Sequence, residues 1–373
     1  MSRDKACTSD PIRHFYVHFP FCARICPYCA FYKTRGNAAE VARFYDAVVL
    51  EARQVAKKFP LALETIFFGG GTPTVLSTAQ LKNLVARFHQ ILDLSALREW
   101  SIEANPGSVS AKKAAALRAC DINRISLGVQ SWDNTLLKLL GREHDATQAE
   151  ESFHILRSAG FSNISVDLMF ALPGQTERQW LDSLQKTIAL QPEHISTYCL
   201  TYEEDTEFLT RFERREFFTN DETEARFLEL AMTTLEKAGY EHYEISNYAR
   251  PGFRSEHNRA YWRGADYLGI GPSAFSTRGF ERWQNVADHN EYARRLFANE
   301  SPVASIEKLT SAMKRTEHIA LGLRTREGIV ADTIEQNQAE ELIRNGLLAR
   351  NESRVFLTRA GRLVADSVAV EVL

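Results

Sequence analysis

His14-Phe15-Tyr16-Val17-His18-Phe19, followed at once by Cys22-Ala-Arg-Ile-Cys26-Pro-Tyr-Cys29, is the stretch on which the reading of this chain turns. The first six residues form an apolar run that reads as a buried strand. The three cysteines then fall on the loop leaving it. A four-iron cubane normally takes four cysteine thiolates, one per iron. A loop that supplies three leaves one iron open to an exchangeable ligand, the arrangement that holds S-adenosylmethionine (SAM) by its amine and carboxylate. Once reduced, such a cluster breaks the sulfonium C–S bond to give a 5′-deoxyadenosyl radical.

In spacing and position, the Cx3Cx2C run resembles the radical SAM superfamily. The rival is zinc, which usually takes four ligands, often as paired CxxC knuckles. No second knuckle occurs, although His18 would complete a Cys3His set. Cys7, Cys120 and Cys199 stand alone and carry no assigned chemistry. Cys120 ends a helical segment and Cys199 lies in an apolar strand, so both read as core residues.

The chain has 373 residues, enough for one large domain and a smaller one. Hydrophobic residues make up 44% and charged ones 25%, as in ordinary globular proteins. A net charge of −3 without a basic block speaks against a nucleic-acid surface. No apolar stretch approaches the roughly 20 residues needed to span a bilayer, which leaves only peripheral contact with a membrane open. The N-terminus lacks the apolar core of a signal peptide. Six cysteines without such a signal point to a reducing compartment, so the expected location is the cytoplasm.

Apolar runs at 14–19, 64–68, 99–104, 124–129, 165–170 and 194–200 read as strands. Helical patterns at 39–59, 78–92, 110–119, 146–159, 176–190 and 221–238 alternate with them. Ser77 and Ser110 are expected N-caps, and Gly160 a C-terminal glycine. Six such units imply a parallel sheet with right-handed crossovers. The expected fold class is α/β, a partial (βα)6 barrel, because the motifs gather at strand ends as they do in βα barrels. The expected division is 1–240 for this domain, 241–300 for a barrel-closing segment and 301–373 for a small helix-rich module of winged-helix type. In that module Ser311–Arg324 and Val330–Asn345 read as helices, and Leu347–Ala349 with Val355–Leu357 as a hairpin.

Phe67-Phe68-Gly69-Gly70-Gly71-Thr72-Pro73-Thr74 places three glycines at a strand end, where bare backbone can approach a ligand. The Gly-Lys-Ser/Thr of a phosphate-binding loop is absent. Glu103 ends a strand expected to be buried, and its carboxylate needs a partner: a cationic ligand such as SAM, or an arginine such as Arg124. Gln130, Arg142 and Asp167 follow the same logic. Asp167 lies between Val166 and Leu168, and Arg142 offers the forked donors that suit a carboxylate.

With these motifs in place, the chain resembles the family of oxygen-independent coproporphyrinogen III oxidases and their HemW relatives. The likeness runs through Tyr16–Cys22, Gly69–Thr74, Glu103–Gly107, Ser126–Ser131, Asp167–Gly174 and Tyr243–Tyr248, over about the first three-quarters of the chain. It implies that Cys22, Cys26 and Cys29 hold a [4Fe–4S] cluster. It implies a SAM pocket of Tyr16, Gly70, Glu103 and Asp167. Gly71, Thr72, Gln130 and Arg142 match positions that contact a second SAM in the oxidases.

Two features choose the branch. The oxidases extend the motif to CxxxCxxCxC, whereas Phe31 stands at the fourth position here, as in the HemW branch. His257-Asn258-Arg259-Ala260-Tyr261-Trp262 resembles that branch's haem-associated HNxxYW motif. His257 is then the candidate axial ligand, with Tyr261 and Trp262 against the macrocycle. One departure is Phe275, where many relatives have histidine. The resemblance thus implies a haem chaperone that binds cluster, SAM and haem and passes haem to an acceptor protein. The alternative it carries is the oxidase itself, which decarboxylates coproporphyrinogen III to protoporphyrinogen IX.

Overall fold

The computed structural model describes residues 10–218 and 220–373, so Cys7 lies outside the described residues. In chain order the strands are β1 (Ile12–Phe19), β2 (Leu61–Gly70), β3 (Glu99–Ala104), β4 (Arg124–Gln130), β5 (Ile164–Phe170) and β6 (His194–Cys199). They continue as β7 (Glu241–Glu244), β8 (Asn247–Ala249), β9 (Tyr267–Ile270), β10 (Phe275–Arg278), β11 (Glu281–Asn285) and β12 (Val303–Lys308). Last come β13 (Ile329–Val330), β14 (Leu348–Arg350) and β15 (Arg354–Leu357). The six strands expected from the apolar runs are β1 to β6, each followed by a helix. The α/β class with parallel strand–helix units is therefore as expected.

Contacts gather the chain into two units. One comprises the described residues to Gly128 with Gly141–Ser162 and Ala265–Leu309, the other Val129–Leu140, Asn163–Gly264 and Thr310–Leu373. These units cut across the 241–300 segment, because β7 and β8 join the second and β9 to β12 the first.

In the first unit β1 to β4 pair parallel in sequence order, with Phe15 beside Ile66, Phe68 beside Ile102 and Ile102 beside Ile125. Strands buried on both faces read as continuous apolar runs, which is why they were legible. Phe68 is at the centre of the core, edge-on to Phe88 and Trp100 at 5.8 and 5.5 Å. The helix Ala38–Lys58 starts at Asn37, which accepts from the backbone of Ala39 and Glu40 while Glu40 closes the capping box. On the free edge of β1 the chain returns as parallel β9, with His14 beside Tyr267, and β10 to β12 follow antiparallel. A buried acid helps to fasten this return. Glu51, only 4% exposed on the first helix, accepts from Gly271 N (2.8 Å), Asn285 Nδ2 (2.7 Å) and the Tyr292 hydroxyl.

In the second unit β5 and β6 are parallel, and β8 then β7 continue antiparallel from β6. Cys120, in the first unit, is buried as a core residue, but Cys199 is half-buried because β6 emerges from the core at its last two residues. The C-terminal residues form a helix (Ser311–Leu323), the small sheet β13-β15-β14 and a helix (Gln336–Arg344), around Ile319, Leu323, Leu342 and Val355. The expected helix 330–345 starts late because Val330 pairs with Arg354 and Ala331–Thr333 is a single 3-10 turn. No helix among the described residues is long and apolar enough to cross a membrane.

Candidate functional site

The cysteine loop is pinned at its neck. Cys22 N donates to Thr34 O (3.0 Å) and Thr34 N to Pro20 O (2.7 Å), so the loop leaves β1 and returns beside it. Cys29 N closes a turn on Cys26 O at 3.2 Å, and Lys33 Nζ caps the Cys29 carbonyl. All three cysteines are half-buried. Burial pushes the thiols of Cys22 and Cys29 up, a penalty that metal coordination reverses by stripping the proton.

The glycine run serves this loop directly. Gly71 N donates to Phe19 O (2.6 Å) and Thr72 N to Phe21 O (2.8 Å). A Cβ on Gly71 would lie 2.7 Å from Phe21 O and 2.8 Å from Phe19 O, so only glycine permits the approach. Gly70, at φ +104°, sends its N–H to Glu103 Oε2 at 3.1 Å. Glu103 thus sits near the end of β3, as expected, with its carboxylate on the glycine run. The strand register sets Arg124 beside Ser101 and Ser126 beside Glu103.

His18 is not a spare metal ligand. Its Nε2–H donates to Tyr32 O (2.9 Å), which leaves Nδ1 to accept from the Tyr16 hydroxyl (3.1 Å). Burial lowers its pKa, so the ring is neutral with both nitrogens used. The Cys3His zinc reading loses its fourth ligand. Tyr16 lies at the edge of the same site, its phenol pushed well up by burial and by the Glu103 charge.

A chain of polar contacts joins the remaining residues to two cysteines. Thr72 Oγ1 donates to Cys22 Sγ (3.6 Å) and accepts from Asn105 Nδ2 (2.9 Å). Asn105 Oδ1 accepts from Arg142 Nη2 (2.5 Å), which also donates to Gly128 O (2.8 Å). Arg142 Nη1 lies 3.5 Å from Cys26 Sγ. Asn105 was missed in the sequence as a site residue. Its signal was its place two residues after Glu103, inside a motif already singled out. Three thiolate donors on a pinned loop, with a guanidinium against one of them, suit an anionic iron–sulfur cluster.

Gln130, Asp167 and His257 belong to the second unit. Gln130 ends β4 with φ +68°, a left-handed conformation uncommon for glutamine. Asp167 sits mid-way along β5 and accepts from Ser165 Oγ at 2.8 Å. Ser165 Oγ also meets His194 Nδ1 (2.8 Å), and His194 Nε2 meets the Tyr243 hydroxyl (2.8 Å). If Ser165 gives its one proton to Asp167, His194 Nδ1–H must donate to it and Tyr243 to Nε2. This buried relay was not anticipated, although a histidine at the start of an apolar strand is its trace. His257 is 1% exposed on the helix Glu256–Trp262, with Nε2 3.0 Å from the Tyr261 hydroxyl. Trp262, by contrast, faces an open cavity.

Comparison with known proteins follows the same lines. The family model of the radical SAM superfamily matches residues 16–187, and that of the HemN C-terminal domain residues 309–364. The heme chaperone HemW of Bacillus subtilis is 36% identical over 95% of this chain and 97% of its own. The Lactococcus lactis heme chaperone HemW is 35% identical over 95% of both chains. Among solved structures, the Escherichia coli coproporphyrinogen III oxidase HemN, described as a radical SAM enzyme, superposes with a TM-score of 0.83. That match covers 98% of this chain and 91% of HemN at 22% identity, and so speaks to the fold alone.

Proposed function

Because the chain belongs to the HemW family of radical SAM proteins, we propose that it binds haem and hands it to an acceptor protein. The observation that carries this reading is the 35–36% identity to HemW chaperones over 95% of the chain. Phe31, 68% exposed where the oxidases have a fourth cysteine, points the same way. Family membership brings a [4Fe–4S] cluster and SAM with it. Cys22, Cys26 and Cys29 are the residues to hold the cluster, which when bound and reduced supplies the electron that splits SAM. Tyr16, Gly70 and Glu103 line the SAM side of that loop in this reading, with Gly71, Thr72 and Arg142 closing it. Asp167 and Gln130 are assigned to SAM on the motif match alone.

The helix with His257, Tyr261 and Trp262 takes part in haem binding. His257 would have to leave Tyr261 and turn outward to reach iron. The cytoplasm is the proposed location, and the acceptor is a protein met there or at a membrane surface. An anaerobic haemin titration followed by absorbance tests the reading. Saturable binding of about one haem per chain is the expected result; no binding overturns it. A second reading, porphyrinogen decarboxylation, is favoured by the complete cysteine and glycine site. It predicts SAM-dependent CO2 release from coproporphyrinogen III, and no release removes it.

A further inference from the structure

The second unit holds a cavity of about 910 Å³. Sites for drug-sized ligands and cofactors run to roughly 300–1,000 Å³. Its wall joins the helix Glu256–Trp262, the helix Ser311–Leu323 and the end of β15, and it is rich in arginine. Three of these arginines are matched by the protein. Arg259 pairs with Glu256 (2.7 Å), Arg359 with Glu236 (2.8 Å), and Arg354 donates to the carbonyls of Glu327 and Gly328 (2.7 and 2.6 Å).

The other three have no hydrogen-bonded counter-ion among the described residues. Arg263 and Arg326, both exposed, have no side-chain hydrogen bond or ion pair among the described residues. Arg362 is half-buried and donates only to His242 Nδ1, at 2.7 Å. That imidazole brings no charge of its own, and the carboxylate that Arg362 feels, Glu236, is the one already paired with Arg359. The imidazole Nε2–H goes to Ile245 O (3.0 Å), and burial, then Arg362, press the ring's pKa down to about 3.

No carboxylate on the wall is spare. Glu236 serves Arg359, Glu327 serves Arg254 and Arg259, and Glu244 is buried, accepting from Ser246 N and Asn247. Six guanidinium groups thus face three carboxylates, and the half-buried Arg362 shares Glu236 with Arg359, so the wall keeps a positive excess that suits an arriving anion. Between the cations lie Trp262 and Phe356, half-buried and open to the cavity. His318 lines it too, exposed and without a hydrogen-bond partner among the described residues. A small anion would use the arginines and leave this apolar wall unused. A flat apolar ring system bearing carboxylates uses both.

Resting on the haem-carrier reading above, we infer that this cavity is the haem site. Arg263, Arg326 and Arg362 take the propionates, Trp262 and Phe356 face the macrocycle, and His318 is the iron ligand available without rearrangement. In this arrangement His257 braces the helix that presents Trp262 and Arg263.

The test compares haemin with haemin dimethyl ester, which lacks the two carboxylates, on the full chain. Wild type should bind haemin about tenfold or more tighter than the ester, as expected for charge-assisted bonds. The Arg263→Ala, Arg326→Ala double variant should lose that preference while ester binding stays put. His318→Ala should shift the Soret band of the complex more than His257→Ala does. Haemin binding that is equally tight for the ester and for the arginine variant overturns the inference and leaves the carrier reading standing. A Soret band that answers to His257 and not to His318 overturns the ligand assignment. Absence of haem binding in wild type removes the carrier reading and this inference together.

Discussion

The cysteine loop and the arginine-walled cavity handle charge in opposite ways. Around the loop, donors and acceptors answer one another. Arg142 reaches Asn105, Gly128 and Cys26, Asn105 reaches Thr72, Thr72 reaches Cys22, and both nitrogens of His18 are engaged. Around the cavity, Arg263 and Arg326 have no side-chain hydrogen bond or ion pair among the described residues, and Arg362 has a neutral ring and a share of Glu236. A closed network holds a scaffold at one geometry before its cofactor arrives. An open set of cations waits for a ligand to complete it. Substitutions should therefore cost stability at the first region and affinity at the second.

The sharpest way to break this contrast is Gly71→Ala. The new methyl group would meet two backbone oxygens at 2.7 and 2.8 Å, which no rotamer change relieves. We expect a loss of about 3 kcal/mol, the upper end of what overpacking costs, together with failure to reconstitute the cluster. Urea unfolding and the iron–sulfur absorbance measure the two effects. Unchanged stability would mean that the loop is not held where these hydrogen bonds put it.

How far the sequence foretold these regions follows from how local each one is. The loop and the glycine run are contiguous motifs, and β1 to β4 are unbroken apolar runs, so residues and fold were both readable. Asn105 sat unnoticed because its role depends on Arg142, thirty-seven residues away. The cavity was less visible still. Its arginines come from four separate segments between 259 and 362, and a surface arginine is the commonest kind of solvated charge. The return of 265–309 to the first unit left no periodic signal, because β9 is only four residues long. Its fastening, Glu51, looked like any polar residue on a helix.

Glu51 extends the comparison to a case where partners are present and burial still prevails. Burial raises its pKa to about 7, against the three donors from Tyr292, Gly271 and Asn285. A carboxyl whose folded pKa exceeds its unfolded value adds stability below about pH 4.5 that is lost as pH climbs through about 7. The span is on the order of 3 kcal/mol. In thermal melts at pH 5 and pH 8, wild type should lose ground against Glu51→Gln as pH rises. A gap that does not change with pH would show that the three donors keep Glu51 ionised throughout, as in the loop network.

Asn105→Ala probes the network at its middle. It removes an acceptor from Arg142 and a donor from Thr72 while leaving the cysteines in place. The expected cost is about 2 kcal/mol, since one lost bond involves a charge. Asn105→Asp should restore the acceptor toward Arg142 but not the donor toward Thr72, and so recover part of the loss. Equal stability of all three proteins would mean that the contacts around Cys22 and Cys26 are replaceable by water.

The smallest expected effect falls on Arg263→Ala, and it sets the two regions furthest apart. With no side-chain partner to strand, the substitution should change unfolding free energy by less than about 0.5 kcal/mol. A measurable loss of stability would mean that Arg263 already has a counter-charge in the folded chain, and the cavity would then be no more open than the loop. Stability unchanged, with haemin held more weakly, would show a cation kept for a ligand. Arg142 at the loop must fail that same pair of measurements, because removing it strands Asn105 and Gly128 whether or not any ligand is bound.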